Sequence, residues 1–317
     1  MTANIWLTGS NGMVGSSILR KLTEQFGPNE VLATGSQDLD LRNQKATYDF
    51  VNQHRPKIAI LCAARVGGVY SNITYPAIFS LENQSMQLNA LQALVDHGVQ
   101  KIIFIGSSCI YPTNAPIPLS PISLNTGDLE PTNKWYAMAK LSMIYSLDAV
   151  ATQYGTEVTT LLPTNLYGPN DNFHSLDGHV IPSLLIRAHQ AKLNRATELK
   201  VWGTGKPLRE VLFVDDFADA IFTTLESKNL PRIMNVGSGE EFSIREIAEY
   251  VCDVVGFQGN LIFDTNKPDG AFRKLLDSTP IQSFGWSPST DFKSGLSLTY
   301  KWLLLNYSSL RDKGVLQ

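Results

Sequence analysis

The chain has 317 residues, of which 43% are hydrophobic and 17% are charged. A chain of this length and apolar content can bury a large core, which excludes an intrinsically disordered protein. Its formal net charge of −3 provides no basic surface for a nucleic-acid backbone. We therefore expect no nucleic-acid partner and only local binding of anions.

Cysteine usage and the first residues bear on the cellular compartment. The cysteines Cys62, Cys109 and Cys252 are too few for a disulfide framework and lack the C-x-x-C spacing of zinc sites, which predicts a reducing, cytoplasmic compartment and no metal. The first dozen residues lack the basic segment of a signal peptide. No apolar run reaches the roughly 20 residues that span a bilayer, so we expect no membrane association.

Short, continuously apolar runs alternate with longer helical patterns in the first half of the chain. The runs that predict strands are Ile5–Thr8, Val31–Ala33, Ile58–Leu61, Ile102–Ile105 and Val158–Leu162. Continuously apolar strands are typical of a parallel sheet covered by helices on both faces. The alternation predicts an α/β fold with right-handed βαβ units, that is, a Rossmann-type, doubly wound parallel sheet.

The regular alternation ends after Pro163 with a Gly-, Pro- and Asn-rich segment. A helix is expected over Ile181–Lys192. Two further strands are expected, Leu212–Val214 and Ile233–Val236, with a helix from Asp216 between them, and both strands could return to the first sheet. Further helices are expected over Phe242–Val255 and Phe292–Leu305. We predict a cofactor domain of residues 1–165, with about 210–237 returning, interleaved with a smaller α/β substrate-binding lobe of residues 166–209 and 238–317.

A glycine-rich segment directly follows the first predicted strand and opens a helix. It consists of Gly9, Ser10, Asn11, Gly12, Met13, Val14 and Gly15. Such glycines allow a tight turn, close approach of a pyrophosphate and close packing of helix on strand, with the anion at the helix N-terminus. The segment predicts a dinucleotide-binding site.

Tyr136 and Lys140 lie four positions apart in a strongly helical stretch, so both project from one helix face. A neighbouring ammonium lowers the pKa of a tyrosine, which makes Tyr136 a candidate acid–base group with Lys140 as its partner. Ser107, at the end of the fourth strand, is expected to hydrogen-bond the same substrate oxygen. Together with the glycine loop, this combination predicts nicotinamide-dependent redox chemistry.

The residues at the end of the second strand decide between NAD and NADP in this fold. Residues 33–38 read Ala-Thr-Gly-Ser-Gln-Asp, which supplies neither the usual carboxylate nor a basic residue at the expected place. The choice of nicotinamide cofactor therefore stays open at this stage.

Several longer motifs resemble those of the extended short-chain dehydrogenase/reductase family, from Ile5 to about Tyr300. They are Ala63–Gly68, Gly106–Pro112, Glu130–Asn133, Pro163–Phe173, Gly178–Pro182, Val201–Gly205 and Lys267–Gly270. The resemblance is strongest to members that act as 3,5-epimerase and NADPH-dependent 4-reductase on GDP-4-keto-6-deoxy-D-mannose and produce GDP-L-fucose. It implies NADPH as cofactor and a GDP-sugar as substrate.

The resemblance also implies roles for particular residues. Cys109 matches the base and His179 the acid that invert C3 and C5, and Arg187, Trp202, Arg209 and Asp269 match contacts to the nucleotide sugar. The implied cofactor contacts beyond the glycine loop are Ala63, Ala64, Lys140, Pro163, Thr164, Asn165, Leu166 and His179. Some members hold the 2′-phosphate with arginines, where this chain has Asn11 and residues 34–37; Arg42 or Lys45 could reach in from nearby.

Members of the family commonly form homodimers, and the resemblance implies the helices of Leu81–His97 and Trp135–Tyr154 as the interface. Met138, Leu141, Tyr145 and Leu147 fit such an interface but equally fit packing on the sheet. Two other functions are considered. One is a relative that inverts only C5 of a 3-deoxy sugar, as in GDP-L-colitose formation, and the other is a non-catalytic NADP-binding sensor or scaffold.

Overall fold

A computed structural model describes residues 4–175, 177–267, 269–270 and 272–310. Up to the sixth strand its elements are β1 (Ile5–Thr8), α1 (Met13–Phe26), β2 (Val31–Thr34), α2 (Gln44–His54), β3 (Ile58–Leu61), α3 (Val69–Thr74), α4 (Pro76–Asp96), β4 (Lys101–Ile105), α5 (Lys134–Tyr154), β5 (Glu157–Pro163) and β6 (Asn165–Tyr167). The later elements are α6 (Val180–Leu193), β7 (Glu198–Trp202), β8 (Leu208–Phe213), α7 (Val214–Glu226), β9 (Ile233–Val236), β10 (Glu241–Ser243), α8 (Ile244–Val255), β11 (Asn260–Asp264), α9 (Thr279–Gln282) and α10 (Phe292–Leu310).

The central sheet has six parallel strands in the order β2-β1-β3-β4-β5-β9. The predicted α/β fold with a parallel sheet is confirmed, and β9 joins the sheet beside β5 as expected. The chain crosses from one side of β1 to the other between β2 and β3. This strand order leaves a crevice at the carboxyl ends of β1 and β3, the usual ligand site of such sheets.

Helices cover both faces of this sheet because its strands are apolar on both sides. Trp6 packs into a core with α2, α4 and α5, whereas the next residue, Leu7, packs into a core with α1 and α7. Successive side chains of a strand point to opposite faces, so both residues are fully buried. The two cores hold the strand ends, and therefore the loops that follow them, in fixed positions.

A third core lies between α6, α8 and α10 and the strands β7 and β8. The expectation that Leu212–Val214 returns to the first sheet is wrong. The strand is Leu208–Phe213, and it pairs with β6 and β10 in a separate three-stranded sheet. The physical reason is that β9 already occupies the edge of β5, with Thr160 opposite Ile233.

The prediction of one helix over Phe242–Val255 also needs correction at its start. Residues 241–243 form the strand β10, and α8 begins at Ile244. Ser243 caps this helix by accepting a hydrogen bond from the Glu246 N–H, and the Glu246 side chain reaches back to the Ser243 N–H. This capping box fixes the boundary.

The helices of the described residues include none long and apolar enough to cross a membrane. Of the motif Lys267–Gly270, Pro268 lies outside the described residues.

Candidate active site

The glycine loop lies at the carboxyl end of β1 and is packed against the end of β3. Gly9 has φ +70°, and a Cβ there would lie 2.8 Å from Ala63 Cα. A Cβ on Gly15 would lie 2.0 Å from the carbonyl oxygen of Gly9, so helix and loop are in direct contact. At Gly12 the nearest atom to such a Cβ is 3.6 Å away, which leaves that side of the loop accessible.

Among the described residues, no side chain caps the N-terminus of α1, whose N-cap residue is Gly12. Uncapped N–H groups and the helix dipole favour an anion at this position. Asn170 braces the loop from outside, since its Nδ2 donates to the Asn11 carbonyl at 2.9 Å and to Ser16 Oγ at 3.3 Å. The geometry therefore fits the diphosphate of a dinucleotide.

The other predicted cofactor contacts lie at the neighbouring strand ends. Ala63 and Ala64 follow β3, and Pro163 ends β5. The Thr164 N–H donates to the Val236 carbonyl at 3.0 Å, and Asn165 Nδ2 donates to the Glu210 carbonyl at 2.8 Å. These bonds fix the segment that runs from the first sheet into the second lobe, and Leu166 packs beside it.

Ser107, Cys109 and Tyr136 form one cluster beyond the end of β4. Ser107 Oγ accepts a hydrogen bond from the Cys109 N–H at 3.2 Å, at the start of a short 3-10 helix over Ser108–Ile110. The Ser107 hydroxyl also lies close enough to Tyr136 to lower the pKa of its phenol. The turn and α5 thus place a hydroxyl, a thiol and a phenol around one small space.

Lys140 is buried beneath this cluster. Its Nζ donates to the Ile105 carbonyl at 2.7 Å and lies 5.8 Å from the centre of the Tyr136 ring. Burial lowers the pKa of Lys140 to about 8, while the nearby Cys62 acts in the opposite direction. Burial likewise raises the pKa of Cys62 to about 11, which suits a packing role for that thiol.

The expectation that the pKa of Tyr136 lies below its ordinary value is wrong. Burial raises the pKa of Tyr136 above its ordinary value, and the nearby Cys109 adds to this effect, whereas the hydrogen bond with Ser107 opposes it. Desolvation is the largest cause because the buried phenolate would lose its hydrating water. Tyr136 therefore holds its proton near neutral pH, as a proton donor must.

Asn133, the N-cap residue of α5, contacts the thiol directly. Its Nδ2 donates to Cys109 Sγ at 3.4 Å, and its Oδ1 is buried with no hydrogen-bond partner among the described residues. Sequence reasoning missed this role. The signal was its place at the end of the motif Glu130–Asn133, immediately before the helix that carries Tyr136.

His179 is exposed and forms the N-cap residue of α6. Asp171 lies close enough for the His179 charge to act on it. Burial raises the pKa of Asp171 to about 6, and the His179 charge opposes that rise. The Oδ2 atom of Asp171 is buried without a hydrogen-bond partner in the part of the chain described. Sequence reasoning also missed this carboxylate, although it lies in a quoted motif.

The predicted substrate contacts lie in the second lobe. Arg187 turns onto its own lobe, with Nη1 donating to the Lys200 carbonyl at 2.7 Å. Arg209 is near both Asp269 and Glu130, and burial lowers the pKa of this guanidinium while the two carboxylates oppose that effect. Because Glu130 precedes Asn133 by three positions, Arg209 links the second lobe to the thiol side of the site.

Trp202 and Asp269 line the outer part of the same lobe. The indole of Trp202 is 49% exposed, and Lys267 Nζ lies 5.4 Å from its ring centre. Asp269 accepts hydrogen bonds from the N–H of Thr204 at 2.9 Å and from its hydroxyl at 2.7 Å. An exposed ring beside a cation and a carboxylate is well suited to contact a nucleoside.

The described residues contain no group of three or more His, Cys, Asp or Glu side chains able to hold a metal ion.

A nucleotide-binding loop and a Ser–Tyr–Lys cluster on a parallel sheet define a short-chain dehydrogenase/reductase type of enzyme. Residues 5–237 match the NAD dependent epimerase/dehydratase family, and the chain belongs to that family. The extended short-chain dehydrogenase/reductase resemblance predicted from the motifs is thereby confirmed.

Particular relatives narrow the comparison. GDP-L-fucose synthase 1 of Arabidopsis thaliana is 49% identical over 96% of this chain and 94% of the relative. A more distant relative, the GDP-L-colitose synthase of Yersinia pseudotuberculosis, is 34% identical over 95% of this chain and 97% of the relative. The crystal structure of a GDP-L-fucose synthetase from Naegleria fowleri bound to NADP has 30% identity and a TM-score of 0.88, covering 97% of this chain and 96% of that one.

Proposed function

We propose that this chain is a bifunctional 3,5-epimerase and NADPH-dependent 4-reductase that converts GDP-4-keto-6-deoxy-D-mannose to GDP-L-fucose. One observation carries the proposal: the Cys109 N–H donates to the Ser107 hydroxyl, and both side chains lie close enough to Tyr136 to act on its phenol. A simple ketone reductase needs a proton donor at the carbonyl but no thiol. A thiol placed beside the carbonyl site supplies the base that inversion at a neighbouring carbon requires.

The first task of the site is to remove and replace protons at C3 and C5. These carbons flank the C4 ketone, so loss of either proton gives an enolate whose charge rests on O4. Cys109 takes the proton on one face, and His179 delivers a proton on the other. Ser107 and Tyr136 donate hydrogen bonds to O4, which stabilises the enolate in the manner of an oxyanion hole.

The second task is reduction of the C4 ketone. NADPH supplies the hydride when bound. Tyr136, which burial keeps protonated, gives its proton to O4, so that ketone, hydride and proton together yield the alcohol. Lys140 holds its ammonium at the Ile105 carbonyl beneath the ring and stabilises the phenolate that remains. Solvent then returns a proton to Tyr136.

Cofactor and substrate bind from opposite sides of this cluster. The predicted residues 9–15, Ala63, Ala64 and residues 163–166 hold the dinucleotide along the carboxyl ends of the sheet. Arg187, Trp202, Arg209 and Asp269 hold the GDP moiety, because guanidinium groups suit a diphosphate. In this proposal residues 1–165 form the cofactor domain together with α7 and β9, and residues 166–213 and 238–317 form the substrate-binding lobe, since β8 pairs with β6 and β10.

The proposal includes a homodimer formed through α4 and α5. Leu81, Leu88, Met138 and Tyr145 are 65%, 46%, 46% and 51% exposed on these two helices. An apolar patch of this kind is typical of a protein interface. Leu141 and Leu147 are buried in the core, so only Met138 and Tyr145 of the four predicted α5 positions fit an interface. Light scattering should give a dimer, with Met138→Glu shifting it toward monomer; a wild-type monomer would contradict the proposal.

A reducing, cytoplasmic location remains part of the proposal.

The decisive experiment mixes purified protein with NADPH and GDP-4-keto-6-deoxy-D-mannose in deuterated water. We expect loss of nicotinamide absorbance, GDP-L-fucose as product by NMR, and deuterium at both C3 and C5. Cys109→Ser should abolish deuterium uptake, whereas Cys252→Ser, a change of the half-buried thiol in α8, should leave it intact. Absence of turnover with any nicotinamide cofactor would refute the proposal.

The same experiment separates the alternative functions. An enzyme of the GDP-L-colitose type would prefer a 3-deoxy sugar and incorporate deuterium only at C5; the higher identity to the Arabidopsis relative favours fucose. A sensor or scaffold would bind NADP(H) without consuming it.

A further inference from the structure

We propose that the cofactor site discriminates little between NADPH and NADH, because the position of the 2′-phosphate is bordered by neutral side chains and one carboxylate. The inference deepens the proposed function by assigning its reductant class. It concerns the turn after β2, where a Rossmann fold selects its cofactor. A carboxylate there binds the ribose 2′-OH, whereas a basic residue binds the 2′-phosphate.

The first observation is that Asn11 covers the turn. A Cβ built on Gly35 would lie 2.1 Å from Asn11 Nδ2, so the amide lies directly over this glycine. Ser36 and Gln37 follow, and both are exposed. These neutral groups can hydrogen-bond either a hydroxyl or a phosphate, but they supply no charge that favours the phosphate.

The second observation is the position of Asp38. Its Oδ2 accepts a hydrogen bond from the Gly35 N–H at 2.8 Å, which fixes the carboxylate at the carboxyl end of β2. A carboxylate fixed here can accept from a ribose hydroxyl. At a separation of roughly 6 Å in water-like surroundings, it disfavours a doubly charged phosphate by about tenfold in Kd.

The third observation is that Arg42 and Lys45, the two cations expected to reach this site, are paired with carboxylates. Arg42 places Nε 2.9 Å from Asp40 Oδ1 and Nη1 2.9 Å from Glu82 Oε1. Asp40 raises the pKa of Arg42 further above its ordinary value. Lys45 Nζ lies 2.5 Å from Asp49 Oδ2. The expectation that Arg42 or Lys45 reaches a 2′-phosphate thus finds both already engaged.

Arg65 completes the charge balance. Its Nη1 lies 3.7 Å from Glu82 Oε2, so Glu82 faces two arginines. Arg42 and Arg65 together balance Asp40 and Glu82, and Asp38 remains as a surplus negative charge beside Gly35. A site with this charge gives the extra phosphate of NADPH no electrostatic advantage.

The test measures Kd for NADPH and NADH by nicotinamide fluorescence, without sugar, and kcat/KM for both with the keto-sugar. We expect the two Kd values, and the two kcat/KM values, to agree within about tenfold. A preference of more than tenfold for NADPH in Kd would overturn the inference. Binding without turnover of either cofactor would leave the inference standing and refute the proposed function instead.

Three variants locate the cause. Ser36→Arg adds a guanidinium to the turn and should raise the preference for NADPH at least tenfold, and Asp38→Asn should raise it about tenfold. Arg42→Gln is the matched control and should leave the ratio of the two Kd values within about twofold. A selective tenfold loss of NADPH affinity in Arg42→Gln would show that Arg42 holds the 2′-phosphate, and would overturn the inference.

Discussion

Replacing Asn133 by alanine removes the only amide that donates to the Cys109 sulfur among the described residues. The bond joins Nδ2 and Sγ at 3.4 Å, and Asn133 sits at the start of the helix that carries Tyr136. If Cys109 acts as the base, this amide stabilises the thiolate more than the thiol. Its loss should therefore impair proton abstraction and spare the reduction step.

The size of the effect follows from the bond. A hydrogen bond to a charged group contributes about 1.5–3 kcal/mol, and the lower end applies because an N–H···S contact at this distance is long. A loss of about 1.5 kcal/mol of stabilisation in the proton-abstraction step corresponds to a rate lower by about tenfold. We expect about tenfold slower deuterium uptake at C3 and C5 at neutral pH.

Two measurements check this reasoning. Mass spectrometry follows deuterium uptake without reductant, and the rate of Cys109 alkylation by iodoacetamide reports the thiolate without any substrate. Asn306→Ala, which removes an amide donating within α10 at 2.9 Å, is the matched control. Unchanged alkylation and uptake in Asn133→Ala would show that the amide does not act on the thiol, and equal losses of uptake and reduction would point to a merely structural role.

Two further predictions concern stability. Lys101 Nζ caps α7 by donating to the Thr224 and Ser227 carbonyls at 2.7 and 3.2 Å, so Lys101→Met should lower the free energy of unfolding, measured with denaturant, by about 2 kcal/mol. The control Lys45→Met changes an exposed lysine and should lower it by less than about 0.5 kcal/mol; equal losses in the two variants would contradict the capping role. For Asp171, whose pKa burial raises to about 6, the folded protein retains a proton between about pH 4 and 6 that the unfolded chain releases. The contribution of Asp171 to the free energy of unfolding therefore falls as pH rises through that window. Between pH 4 and pH 7.5, the free energy of unfolding of Asp171→Asn should rise by up to about 3 kcal/mol relative to that of the wild type. A difference between the two proteins that does not change with pH would refute this prediction.

The sequence predicts the first sheet well because its strands are short, apolar and separated by regular helices. Each predicted strand from Ile5 to Leu162 matches an observed strand to within one residue. The sequence does not predict the pairing of β8 (Leu208–Phe213). Its partners, β6 and β10, are determined by tertiary contacts that local hydrophobicity does not encode. The sequence analysis did not predict β7. Exposed and buried residues alternate along Glu198–Trp202, and the same two-residue alternation of polar and apolar residues in the sequence could have indicated this strand.

The site residues likewise divide into those that local sequence patterns predict and those that depend on tertiary contacts. Tyr136 and Lys140 were found because helix geometry alone places them on one face. The contact of Asn133 with Cys109 and the proximity of Asp171 to His179 depend on loops folding back, so the only sign of them in the sequence is that Asn133 and Asp171 lie in the quoted motifs. The sign of the Tyr136 pKa shift depended on burial, which competes with the charge of Lys140 and cannot be weighed from a motif.

The burial of Tyr136 bears on the order of the two proposed reactions. A phenol whose pKa is raised can donate a hydrogen bond to an enolate oxygen without giving up its proton. The enolate then collapses back to the ketone, and inversion can be repeated. The alkoxide formed on reduction is far more basic than an enolate, so only that step draws the proton from Tyr136. A buried tyrosine beside a thiol thus favours inversion at C3 and C5 before the ketone is consumed, which is the order that a bifunctional enzyme of this kind requires.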